Sequence, residues 1–345
     1  MDWSKTLLKG EISFEDHAGK TGRKLSYVAA IREALELALT HDKRVFIMGQ
    51  GVDDPVGMFG ITKDLHKKYG SDRVFDTPLS ENALTGVAIG AALSGMRPVY
   101  MHNRPDFLLL AMDQIVNHAA KWRYMFGGRI SVPIVIWATV GRGWGGGAQH
   151  TQTLQGLFIH VPGLRLVMPT TPYDAKGLLI TSIADNNPVI ILEHRWLLRQ
   201  SGYVPEGLYN IPFGRGVIRR KGKDVTIVAI SYMVVEALLA AEELQQQGIE
   251  AEVIDPRTLK PLDEEIILSS VKKTGRLLVA DTGWKTGGAA TEIAALVAEK
   301  SPQYLKKPVR VVASPDVPTP AGYTLEAKFY PGKADIVAGC QEILK

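Results

Sequence analysis

The chain has 345 residues, 46% of them apolar and 22% charged, with a formal charge of +4 and a single cysteine, Cys340. That length predicts about two globular domains, and the scattered lysines and arginines form no stripe that could track a nucleic-acid backbone. One cysteine excludes an internal disulfide and a thiolate cluster for zinc or iron and sulfur, and the longest apolar runs, such as 132–140, fall far short of the roughly 20 residues a membrane helix needs.

Taken in chain order, an N-terminal extension over 1–24 contains Asp2, Glu11, Glu15 and Asp16 and lacks an uninterrupted apolar core, unlike a secretory signal or an acid-poor transit peptide, so a cytoplasmic protein is expected. Short β-rich runs at 45–48, 98–101, 132–140 and 164–168 then alternate with amphipathic segments at 27–39, 84–93 and 108–125. This βαβα order predicts a parallel sheet wrapped by helices, with ligand sites beyond the carboxyl ends of its strands. Low periodicity with Pro205, Gly207 and Pro212 marks a linker over 201–214, separating a domain 1–200 from a second α/β domain 215–345. In that second half, strands are expected at 225–230, 252–254, 277–280 and 309–312, and helices at 234–247, 263–271 and 289–299.

Three features carry chemistry or imitate it. The run Gly141-Arg142-Gly143-Trp144-Gly145-Gly146-Gly147 satisfies the spacing of a dinucleotide fingerprint, yet the strand that should end in a ribose-binding acid ends at Met168 and Pro169. A plain glycine loop, or one whose backbone approaches a neighbour closely, is the better reading. The turn Asp76-Thr77-Pro78-Leu79-Ser80-Glu81-Asn82 leads into a helical run, where Ser80 could be the N-cap and Glu81 a first-turn acid favoured by the helix dipole. Alternatively, Glu81 points into a cleft. Finally, His150 in Gln149-His150-Thr151-Gln152 follows the glycine loop, where it is either a solvated structural histidine or a proton-exchanging group. Glu81 and His150 are both expected beyond strand ends on one side of the sheet.

In order and spacing, Asp76 to Gly95, Asp113-Gln114-Ile115-Val116-Asn117, Gln149-His150, His160-Val161-Pro162-Gly163-Leu164, Asp185-Asn186-Asn187-Pro188-Val189 and Ile254-Asp255-Pro256-Arg257-Thr258-Leu259 resemble one family. It is the beta subunit of the thiamine-diphosphate-dependent component of pyruvate, branched-chain 2-oxoacid and acetoin dehydrogenases. The resemblance spans almost the whole chain. It implies two doubly wound α/β domains, a transketolase-like pyrimidine-binding domain and then a transketolase C-terminal domain.

The resemblance further implies that Glu81 bonds the aminopyrimidine of thiamine diphosphate and promotes loss of the thiazolium proton, and that Asn103 and Phe107 line the same pocket; the place of His150 after the strand-end loop predicts that it contacts substrate or intermediate. By the same transfer, carbonyls of Ile134, Ser182, Ile183, Asp185 and Asn187 would hold a potassium ion. No Gly-Asp-Gly diphosphate motif occurs in the sequence. A separate alpha chain in an α₂β₂ assembly is therefore expected to hold the diphosphate and its magnesium ion. The function implied is oxidative decarboxylation of a 2-oxo acid with acyl transfer to the lipoyl group of an acyltransferase core. The alternatives are a two-chain transketolase-like carbon–carbon lyase or ligase and a non-catalytic partner subunit.

Some positions depart from the family pattern. Gln50 and Met101 stand where relatives commonly carry acids of a proton relay, so that relay does not transfer to this chain. Arg104-Pro105 and the 141–147 glycines are also unusual.

Overall fold

The computed structural model describes residues 22–141 and 145–345. Residues 1–21 of the expected N-terminal extension, and Arg142, Gly143 and Trp144 of the glycine motif, lie outside the described residues. The chain divides into two compact units, the first running to Val140 and resuming over Phe158–Phe213, the second comprising Gly141–Leu157 and Gly214–Lys345.

In the first unit, β1 (Lys24–Ser26) leads into the helix Tyr27–His41. Ser26 caps that helix, its hydroxyl accepting from the Ala29 amide at 3.2 Å and satisfying a donor that the first turn leaves unpaired. The remaining strands are β2 (Val45–Gly49), β3 (Val74–Asp76), β4 (Arg97–His102), β5 (Val135–Val140), β6 (Arg165–Val167), β7 (Val189–His194) and β8 (Ser201–Tyr203). Strands β6-β7-β5-β4-β2-β3 lie side by side in that order, and every pair is parallel. All residues of β2, β5 and β7 are buried, as a sheet covered by helices on both faces requires. One covering pair is Tyr27–His41 against Pro172–Ala184. The second of these starts with Thr171 as N-cap and Pro172 in the first turn.

Several elements differ from the sequence reading. Strand β7, which that reading passes over, occupies a central place between β5 and β6. Its Val-Ile-Ile-Leu run is as β-rich as those recognised. The continuous helix expected over 108–125 is divided into Pro105–Leu108, a 3₁₀ turn Leu109–Ala111, a π-helical stretch Gln114–Ala119 and Ala120–Met125. In the widened stretch, Asn117 donates to the Asp113 carboxylate at 2.7 Å, and the His118 ring meets the Asp113 carbonyl at 3.2 Å. Ser201–Tyr203, at the start of the expected linker, is strand β8, paired antiparallel with β1.

The second unit holds β9 (Val217–Arg220), β10 (Val225–Ala229), β11 (Ala251–Asp255), β12 (Thr258–Lys260), β13 (Leu277–Trp284) and β14 (Arg310–Ser314). Its five-stranded sheet runs β14-β13-β10-β11-β9, parallel except for the β9 edge. The helix Glu264–Thr274 shows how sequence sets its ends. Asp263 accepts from the Ile266 amide, Glu264 and Glu265 face the positive end of the dipole, and Lys272 and Lys273 the negative end. Gly275 then closes the helix at φ 74°, a left-handed backbone natural to glycine. Arg219 of β9 and Asp255 of β11 form a fully buried ion pair at 2.7 Å. Two helices that the periodicity reading does not name, Tyr323–Phe329 and Lys333–Leu344, complete the unit.

Candidate active site

The strand order reverses in the first unit. From β2 the chain passes to β3 on one side and then returns to β4 on the other, so β2 and β4 flank a topological switch point. Open parallel sheets bind ligands beyond the carboxyl ends of their strands at such a point. Gln50 leaves the end of β2, Asn103 leaves the end of β4, and Glu81 opens the helix that follows β3.

Close approach of β2 and β4 depends on Gly49. Its φ is 150°, and a Cβ there would lie 2.2 Å from the Met101 carbonyl oxygen. With glycine in place, the Gln50 amide Nε2 donates to Glu81 Oε1 at 3.3 Å and Asn103 Nδ2 donates to Gln50 Oε1 at 3.3 Å. Asp76, at the end of β3, accepts from the Gly51 amide at 2.5 Å and pins the loop that carries Gln50.

Glu81 is 8% exposed and is the first residue of the helix Glu81–Leu93. Ser80 occupies the N-cap position but makes no capping hydrogen bond, so local capping does not account for the motif. No bond to Glu81 Oε2 occurs among the described residues, which leaves one oxygen of a nearly buried carboxylate available to a ligand. The ring groups of β4 nearby are neutral. Burial, together with the Glu81 carboxylate nearby, pushes the Tyr100 phenol up to about 12. Burial pushes His102 down to about 3, and its ring lies 4.1 Å from that of Tyr100. Phe107 is half-buried on the helix Pro105–Leu108, one turn beyond Asn103. Burial also lowers the pKa of half-buried Arg104, partly offset by Asp106.

His150 belongs to the second unit, on the exposed end of the turn Gly147–Gln149. That segment is seated on its own unit through several contacts. A Cβ at Gly145 or Gly147 would lie 2.9 or 3.2 Å from Ala321, so glycine at these two positions permits close backbone approach. Tyr330 donates to the Thr151 carbonyl at 3.2 Å, and Gln155 Nε2 donates to both oxygens of buried Asp281 at 2.6 and 2.8 Å. Ala148 and Gln152, on either side of His150, line an open cleft of ≈ 380 Å³ with Trp284, Asp316, Val317 and Pro318.

The residues expected to ligate potassium lie at the other end of the first sheet. Here the Arg97 guanidinium donates to the carbonyls of Ile183 and Asp185, each at 2.9 Å, while the Ile134 carbonyl accepts from the Val189 amide at 2.9 Å. Ser182 is buried, and Asn187 donates through its amide groups to the Asp185 carboxylate at 2.7 Å. Sequence reasoning did not find Arg97 or Glu193. Glu193 is a fully buried carboxyl on β7, and burial raises its pKa to about 8.

A carboxylate at the switch point of one parallel α/β unit, followed by a second α/β unit, is a transketolase-type arrangement. The family described as transketolase, pyrimidine binding domain, matches residues 23–201, and transketolase, C-terminal domain, matches 214–336. A solved chain described as a split gene transketolase, inactive beta4 tetramer, superposes with a TM-score of 0.74 at 26% identity, covering 93% of this chain and 98% of that one.

Curated relatives narrow the class. Over 94% of this chain and 98% of the relative, it is 47% identical to the acetoin:2,6-dichlorophenolindophenol oxidoreductase subunit beta of Cupriavidus necator. It is 41% identical to the pyruvate dehydrogenase E1 component subunit beta of Rickettsia felis, over 91% and 96% of the two chains. Identity to the 2-oxoisovalerate dehydrogenase subunit beta of Bacillus subtilis is 40%, over 92% and 98%. The chain belongs to this family of beta subunits, whose members depend on thiamine diphosphate. The described residues contain no helix long and apolar enough to cross a membrane.

Proposed function

We propose that this chain is the beta subunit of a two-chain enzyme that decarboxylates a 2-oxo acid oxidatively and passes the acyl group to a lipoyl carrier. The observation that carries the reading is the Glu81 carboxylate, nearly buried at the sheet's switch point with Oε2 uncommitted. The donor set fits an aminopyrimidine: a carboxylate for a ring nitrogen, the Asn103 amide beside it, and the Phe107 ring one turn away. When bound, thiamine diphosphate supplies the electron sink that makes cleavage next to a carbonyl feasible.

Glu81 Oε2 would hold a proton shared with a ring nitrogen of the bound pyrimidine, the proton control this carboxylate could supply. Phe107 would face the ring and Asn103 would hold its edge. His150 would meet the substrate or its decarboxylated product. An alpha chain supplies the diphosphate cradle and magnesium in an α₂β₂ assembly, since the sequence has no Gly-Asp-Gly motif.

The helix Glu81–Leu93 supports a partner. After Glu81 it carries no charged residue, and Val87 on its outer side is 60% exposed, with Leu79 just before it 79% exposed and Leu110 beside it 60%. Such exposed apolar side chains suit a surface covered by another chain. Potassium at the expected ligands would have to share the Ile183 and Asp185 carbonyls with Arg97. A transketolase-like two-chain enzyme is the second reading, favoured by the neutral Gln50 and Met101 and by the split transketolase neighbour.

The test is Glu81→Gln in the enzyme co-expressed with its alpha chain. Turnover should fall by roughly a hundredfold or more with assembly intact. Wild-type turnover would return Glu81 to a purely structural place at the helix start.

A further inference from the structure

We infer that Gln50 is a positioning residue that sets the protonation of Glu81, a role performed by a neutral amide rather than by a second acid. The inference rests on the reading of Glu81 given above. Asn103 Nδ2 donates to Gln50 Oε1, and this fixes which end of the Gln50 amide faces Glu81: Nε2 points at the carboxylate, 3.3 Å from Oε1. The reverse orientation would set two acceptors against each other. A hydrogen bond donated to a carboxylate favours its ionised form.

The other groups around Glu81 do not compete for this role. On β4, Tyr100 and His102 are neutral across the working range, Met101 is a thioether, and Arg97 is at the opposite end of the strand. The 3₁₀ turn Leu109–Ala111 packs against the Glu81 helix without a titratable side chain, and the stretch Gln114–Ala119 brings only His118, which bonds back to Asp113. Asp76 of β3 is committed to the Gly51 amide. Among the described residues, the Glu81 carboxylate is therefore held by one side-chain amide. No second acid hydrogen-bonds to it among the described residues.

An acid at position 50 would change this. Two carboxylates at hydrogen-bonding distance cannot both ionise freely, so the pair holds one proton to higher pH. In the assembled two-chain enzyme, Gln50→Glu should move the acid limb of the pH–rate profile upward by about one to three pH units. Gln50→Met removes the donor without adding charge and should move it upward by less. Calorimetry of thiamine diphosphate and magnesium binding, run at pH 7 in buffers of different ionisation enthalpy, gives the second readout: Gln50→Glu should alter the number of protons exchanged. An unmoved acid limb with unchanged proton exchange in both variants would overturn the inference while leaving Glu81 in place. Wild-type turnover in Glu81→Gln would instead remove the reading on which it stands.

Discussion

Replacing Glu193 by glutamine tests how a buried charge shapes the stability of the first unit. Glu193 is 1% exposed on the central strand β7, and neither carboxyl oxygen has a hydrogen-bond partner among the described residues. Burial raises its pKa from 4.5 to about 8, with the Trp137 indole on the neighbouring strand opposing the shift. Between those pH values the folded chain holds a proton that the unfolded chain has released, so stability falls as pH rises through that window. At 1.36 kcal/mol per pH unit the full loss is about 5 kcal/mol, a large share of a domain's net stability. Glutamine keeps the shape and cannot ionise, and any cost of its unpaired amide is the same at every pH. Urea unfolding of wild type and variant from pH 5 to 9, followed by circular dichroism, should show the variant gaining several kcal/mol on wild type as pH rises. Parallel stability curves for the two proteins would refute the argument.

Lys176→Met should cost about 2–4 kcal/mol in the same assay, because it removes a fully buried cation bonded to Glu33 at 2.5 Å and to the Pro205 carbonyl at 2.7 Å. Burial alone would raise the Glu33 pKa, but hydrogen bonds from Arg23 and Lys176 lower it below 4.5; that contribution is present above pH 4.5, so the gap between the two proteins should narrow as pH falls through the depressed value. For His150→Ala, steady-state kinetics on the true substrate should show kcat/KM reduced by roughly ten- to a hundredfold, and unaltered constants would remove its substrate contact.

Much of the molecule follows from local pattern. Near-continuous apolar strands alternating with amphipathic helices require a parallel sheet covered on both faces, and they do so in each half. The turn at Asp76–Asn82 is legible for the same reason, since a strand end, a short loop and a helix start are all written within a few residues. The family motifs then imply a chemistry for Glu81 that local pattern does not carry. Where a segment's neighbours compete with its own periodicity, as over 108–125, the local pattern misleads: the side chain of Asp113 draws Asn117 and its carbonyl draws His118, and the helix widens there.

The sequence by itself determined two α/β halves, the parallel sheet and an acid at a helix start, because each depends on residues a few positions apart. Only the tertiary structure decided what surrounds that acid. Gln50, Glu81 and Asn103 are 31 and 22 residues apart, and they meet because chain reversal at β2 and β4 and the missing side chain of Gly49 bring three strand ends together. The same holds for Glu193, whose glutamate letter carries no trace of its depth, and for Arg97, whose carbonyl partners lie some 86 residues away. Hydrophobic periodicity is a short-range property of the chain. The environment of a charge is set by whatever the fold brings to it.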